Sequence, residues 1–162
     1  MKRVTLCGML TALALVFNYI EAIVPMPVAI PGIKLGIANI VIVFALYKIG
    51  IKEAVVISAL RIILAGSMFG NATGVIYSLS GAFLSIVIMI VLKKITDLHI
   101  VTISICGAIF HVLGQLLVAG VVVGFEVIYY YAFPVLAAAF IAGAVVGIIS
   151  SILISRIPID ML

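Results

Sequence analysis

The residues in this sequence whose types could do chemistry are Asn18, Glu21, Lys34, Asn39, Arg61, Ser78, His111 and Gln115, with Asn71 close to Ser78. A guanidinium and an ammonium attract anions and polarised carbonyls, while amides, hydroxyls and a neutral imidazole both donate and accept hydrogen bonds. His111 and Gln115 are four residues apart and share one helical face, as do Ser78, Gly81 and Ser85 at offsets of three and seven. Such a set suits recognition of a small organic molecule. Lys34 and Arg61 would contact an anionic or carbonyl group, Asn39, His111 and Gln115 would orient it, and Asn18 and Glu21 would form the opposing polar wall. Metal chemistry has no comparable set. Cys7 and Cys106 each stand in an apolar stretch with no Cys or His at ligand spacing, so no metal or disulfide signature is present.

The elements that must position these residues are membrane helices. Of the 162 residues, 67% are hydrophobic and 9% charged, a composition that excludes a water-soluble domain. Apolar stretches cover 4–24, 35–47, 54–69, 73–92, 100–123 and 132–155. About 20 helical residues cross a bilayer core, so the chain reads as one all-α domain, residues 1–162, of six transmembrane helices. The first stretch follows Lys2 and Arg3 like a signal peptide. It ends in Asn18, Glu21, Pro25 and Pro27 rather than in a cleavage site, and is read as a retained helix. The second and third stretches, 13 and 16 residues, are short for a span and need completing by their flanks. The flank before the second is a Pro-rich outer loop, 25–34, with Pro25, Pro27, Pro31 and Gly32. Two readings of it stand: a lid over a substrate site at an interrupted span, or a loop lying at the membrane interface. The sixth span could open as an interfacial turn at Tyr129, Tyr130 and Tyr131.

Charge sets the orientation. With both termini inside, Lys2, Arg3, Lys48, Lys52, Lys93, Lys94 and Arg156 fall on the cytoplasmic side and only Lys34 outside, which satisfies the positive-inside rule. The net charge of +4 is then an orientation signal and not a patch for nucleic acid. Sorted by depth in this frame, the intramembrane polar residues lie between the midplane and the outer surface, and the inner halves are apolar. Polar groups in hydrocarbon usually face the bundle interior or a wet cavity, so an outward-facing polar pocket is expected. Alternatives remain for its members: Arg61 and Glu21 could form a structural ion pair, His111 could be a hydrogen-bonded core histidine, and Ser78 and Ser80 could bond their own helix carbonyls. Small residues at fourfold spacing, Gly8 and Ala12 in the first helix and Ala139, Gly143 and Gly147 in the last, are docking faces for helices of this chain or of a partner.

The run Pro31-Gly32-Ile33-Lys34-Leu35-Gly36-Ile37-Ala38-Asn39, then Arg61, then Ser78-Leu79-Ser80-Gly81, then Gly107-Ala108-Ile109-Phe110-His111-Val112-Leu113-Gly114-Gln115 resembles the Gx transporter family, whose members are often labelled heptaprenyl diphosphate synthase component I. That family is similar to the substrate-binding S-components of energy-coupling factor (ECF) vitamin transporters. The resemblance implies a six-helix fold in the plasma membrane that captures a small molecule from outside. A vitamin, an isoprenoid phosphate and a quinone precursor are all compatible with the polar set. It also implies docking through Gly8 and Ala12 onto an ECF-type transmembrane coupling subunit driven by two cytoplasmic ATPases. Gly8 and Ala12 stand where that family of S-components has an AxxxA-type motif, with Gly first and Val16 next.

The synthase label can be tested on the residues. A prenyl diphosphate synthase clusters carboxylates in Asp-rich motifs to hold Mg²⁺ against diphosphate, whereas Glu21, Glu53, Asp97, Glu126 and Asp160 are scattered on both sides of the membrane. A Gly-rich P-loop for ATP is also missing. The expectation is a binding protein without cofactor or metal, not an enzyme. Two alternatives carry different tests: a noncatalytic membrane partner of a polyprenyl diphosphate synthase, and a solo transporter coupled to a proton on His111 or Glu21.

Overall fold

The computed structural model describes residues 2–23 and 36–157, and its elements there are six α-helices. They are α1 (Lys2–Ile23), α2 (Asn39–Lys48), α3 (Ile51–Phe69), α4 (Ala72–Ile95), α5 (Ile100–Val123) and α6 (Phe125–Arg156). Four of them, α1, α4, α5 and α6, are long and apolar enough to cross a membrane. The Pro-rich outer loop, 25–34, with Lys34 lies outside the described residues.

Two helices depart from the simple span. At 10 residues α2 is about 15 Å long, half of a roughly 30 Å hydrocarbon core. Its expected start at residue 35 moves to Asn39, because Gly36 takes φ +83 and the chain turns through Ile37 and Ala38 before the helix begins. Helix α3 starts at Ile51, three residues before the apolar run. Gly50 breaks the chain there, and Glu53 in the first turn suits the positive end of the helix dipole. Reading α3 from apolar residues alone leaves out Lys52 and Glu53, both good helix formers. The interfacial turn at Tyr129–Tyr131 is not formed. Helix α6 reaches back to Phe125, with Pro134 inside it, because the break falls at Gly124, where φ is +95. Its 32 residues extend about 48 Å, well beyond the hydrocarbon thickness, and the exposed Tyr129 and Tyr130 lie in its first turns.

Helices α4, α5 and α6 pack in chain order along most of their lengths. Helix α1 lies against α3, and α2 is enclosed by α1, α3 and α6, so that Asn39 through Leu46 are all buried. The close approaches are made by glycine and sealed by serine. Ser80 Oγ donates to the Gly114 carbonyl at 2.6 Å between α4 and α5, and Ser104 Oγ to the Gly143 carbonyl at 2.9 Å between α5 and α6. The small stripe Ala139, Gly143 and Gly147 is buried here, with Gly143 against Ile105 and Ala108 and Gly147 against Val101, so it packs this chain on itself. Gly8 and Ala12 are exposed, and nothing lies within 4 Å of where a Gly8 side chain would start.

Polar contacts tie the cation-rich ends together. Arg3 of α1 lies 3.8 Å from Glu53 of α3, and Lys93 of α4 donates to the Leu46 carbonyl at the end of α2 at 2.6 Å while sitting over the Tyr47 ring. The N-terminus of α1, the α2–α3 turn and the end of α4 therefore share one end of the bundle, as the charge pattern requires. A methyl at Gly114 would meet the Ser80 carbonyl oxygen at 2.6 Å and Gly81 Cα at 2.8 Å, both backbone. Gly114→Ala is expected to lose about 1–3 kcal/mol by overpacking despite its better helix propensity. Thermal unfolding in detergent should show it melting earlier, with Gly8→Ala unchanged.

Candidate ligand-binding site

At the opposite end, where α1 and α3 finish and α4 begins, the helices enclose a cavity of about 260 Å³. Its polar wall is Asn18 and Glu21 from the last turns of α1, Arg61 from the middle of α3, Asn71 just before α4, Ser78 from α4, and His111 from α5. Five of the eight sequence-predicted site residues thus line one space: Asn18, Glu21, Arg61, Ser78 and His111. Asn39 stands just behind it, and Gln115, fully buried, stands behind His111.

Arg61 is the hub. It is 3% exposed, its Nη1 donates to Asn18 Oδ1 at 3.3 Å, and its Nη2 donates to Asn39 Oδ1 at 2.8 Å. One guanidinium thereby fixes α1, α2 and α3 relative to one another. Glu21, 6% exposed, is engaged differently: Oε1 accepts from the Gly36 N–H at 2.6 Å and the Ile37 N–H at 3.0 Å. A carboxylate there satisfies backbone donors at the start of the α2 turn, which have no helical acceptor, and suits the positive end of the dipole. The Glu21–Arg61 ion pair that stood as an alternative is absent among the described contacts, where the salt bridge is Arg3–Glu53. The two charges share the cavity wall without touching, each held by neutral or backbone groups. Glu21 Oε2 and Arg61 Nε have no hydrogen-bond partner among the described residues.

On the far wall, His111 packs against Gly81, whose missing side chain makes room for the imidazole 3.0 Å from an ideal Cβ position. His111 Nε2 lies 3.2 Å from the Gln115 amide nitrogen, the i, i+4 contact that their spacing predicts. Which of the two donates in this contact follows the tautomer of the ring. Ser80 serves packing, bonded across to α5 and not to its own helix. Gly66, Gly70 and Gly74, which complete the mouth between α3 and α4, escaped the sequence reading. Their spacing of four across the turn was visible, but stripes of small residues were read within single helices. Asn71 caps α4 by accepting from the Gly74 N–H at 2.7 Å, so its role is shared between helix start and cavity.

The family model described as heptaprenyl diphosphate synthase component I matches residues 10–153, which includes every described site residue. The chain belongs to this family. No curated protein and no solved structure matches it. The matched region takes in all six helices at least in part, so the family pattern and the bundle coincide.

Glu21→Ala would leave the Gly36 and Ile37 N–H groups without their acceptor and is expected to cost about 1–3 kcal/mol. Glu21→Gln, which keeps an acceptor oxygen, should retain most of that. Chemical denaturation midpoints of the three proteins in one detergent check the order.

Proposed function

We propose that the protein is a substrate-binding membrane subunit that captures a small organic molecule from the outside in the cavity around Arg61. It works in the plasma membrane with ECF-type partners that supply ATP energy. The observation that carries this reading is the convergence of Asn18, Glu21, Arg61, Ser78 and His111 on one roomy space at the end of the bundle away from the cations. By the positive-inside rule that end faces outward. A purely structural network would be expected to close on itself, yet here buried polar atoms on Glu21 and Arg61 remain unpartnered among the described residues. Lys34 is assigned to the same ligand's anionic or carbonyl group, with Asn39 and Gln115 holding Arg61 and His111 in place.

Docking on a transmembrane coupling subunit is assigned to α1. It is the least buried of the four long apolar helices, and Gly8 and Ala12 sit on it among exposed Met9, Leu13 and Val16. No catalytic role is assigned: among the described residues no three of the acidic, histidine or cysteine side chains come together as a group that could hold a metal on diphosphate.

The family description favours a second reading, a noncatalytic membrane partner of a prenyl diphosphate synthase. It predicts co-purification with a soluble Asp-rich enzyme. The leading reading predicts co-purification with ATPases and, in liposomes holding this chain alone, no uptake driven by a pH gradient, which a solo proton-coupled transporter would show.

Native mass spectrometry of gently purified protein tests capture directly. The wild type is expected to retain a small molecule. Arg61→Ala should lose it, and Ser78→Phe, which fills the cavity from a partly exposed position, should lose it while melting within a few degrees of wild type. Full retention in a folded Ser78→Phe protein would remove the cavity from the reading.

A further inference from the structure

One buried hydroxyl of this chain lacks the kind of partner that its counterparts have. Ser80, Ser104 and Ser150 each donate to a carbonyl oxygen on a facing helix, and for the first two the acceptor is a glycine, Gly114 or Gly143. Ser58 of α3 is 2% exposed, and its Oγ has no hydrogen-bond partner among the described residues. It lines an apolar groove of about 270 Å³ between α3 and α4, together with the small residues Ala59 and Ala82, and Val55 and Val87 are exposed along the rims. Rotation about Cα–Cβ between staggered positions turns the hydroxyl toward the groove. A lipid chain would fill this space and leave the hydroxyl unsatisfied. A helix bearing a glycine approaches closely enough to offer a carbonyl oxygen.

The chain itself exposes such a helix. Gly8 and Ala12 of α1 lie on its exposed face one turn apart, and nothing lies within 4 Å of where a Gly8 side chain would start. Their level in the membrane also fits. Helices α1 and α3 pack together and run the same way, with Arg3 at Glu53 near their starts and Asn18 at Arg61 further along. Gly8 and Ser58 each stand five residues beyond the first of these contacts, about 8 Å along their helices. Two copies in one membrane share an orientation, because the same cations set it, so residues at one depth in the first meet residues at that depth in the second.

We infer that the protein pairs with a second copy of itself, the Gly8–Ala12 face of each α1 seated in the α3–α4 groove of the other and Ser58 Oγ donating to a carbonyl oxygen beside Gly8. Helix α3 packs against both α1 and α4, so the face and the groove flank one helix. A twofold axis along the membrane normal makes both contacts at once and closes the assembly at two copies. The coupling subunit assigned above to α1 takes the same face, so the pair is the undocked form of the chain, and docking separates it. Pairing does not depend on which molecule the Arg61 cavity holds.

The test uses the full-length chain alone, labelled in two batches with donor and acceptor fluorophores on an added C-terminal tag and diluted in phosphatidylcholine vesicles. Energy transfer is expected to follow a monomer–dimer curve. Gly8→Leu, which fills the exposed face, should weaken pairing at least tenfold, and Ser58→Ala, which removes one hydrogen bond from each of two contacts, roughly fivefold. Melting in detergent should stay within a few degrees of wild type for both. Proteins carrying Ala12→Cys or Ala59→Cys, each with Cys7→Ser and Cys106→Ser, should form a disulfide under copper phenanthroline when mixed, and neither should do so alone. A monomer at every protein density overturns the proposal, as does a pair indifferent to Gly8→Leu and Ser58→Ala, or one that does not cross-link at these positions. If either variant fails to fold, the cross-link, which leaves Gly8 and Ser58 in place, decides.

Discussion

The bundle depends on a helix too short for the membrane that surrounds it. Helix α2 is enclosed by other helices, and its end groups cannot rely on bulk water where a polar group left alone costs several kcal/mol. The chain answers with side chains from elsewhere. Glu21 of α1 receives the amides of the turn that leads into α2, and Lys93 of α4 donates to the Leu46 carbonyl at its far end. Each charge has the sign that the helix dipole prefers at that end. The polar residues at one end of the bundle and the cation at the other are thus parts of one solution.

That constraint explains why the cavity lies where it does. Because α2 begins only at Asn39, the space beside the ends of α1 and α3 is bounded by Glu21 and Gly36. Arg61 reaches into it from α3 and is held by two asparagines rather than by the carboxylate. Because the two charges are held separately, each keeps unused hydrogen-bonding capacity on the cavity wall. A direct ion pair would have consumed it and closed the space.

Much of this was legible in the residues. Composition required membrane helices, the cations of Arg3 and Lys93 meet at one end of the bundle as their placement implied, and the i, i+4 spacing of His111 and Gln115 brought those side chains together. Depth along each apolar stretch was enough to gather Asn18, Glu21, Arg61, Ser78 and His111. The partners of Glu21 were not legible, because they are backbone amides and every residue type supplies those. The length of α2 was obscured because Leu35 through Ala38 are as apolar as the helix itself, and the turn depends on the conformation of Gly36. Helix α6 was underestimated for the opposite reason: Pro134 reads as a helix start, yet buried membrane helices tolerate an interior proline.

The uneven packing has a mechanical consequence. Helices α4, α5 and α6 are bound tightly in series, with glycine–serine contacts along both seams, and α1, α2 and α3 are joined by the Arg61 network. These two groups meet over the α3–α4 and α2–α6 surfaces, both smaller than the α4–α5 and α5–α6 seams. The α4–α5–α6 unit is thus the most extensively packed part of the bundle. The void beside Arg61 opens onto that seam, so a slight rocking of the two triplets would alter its width without breaking any hydrogen bond described within either half.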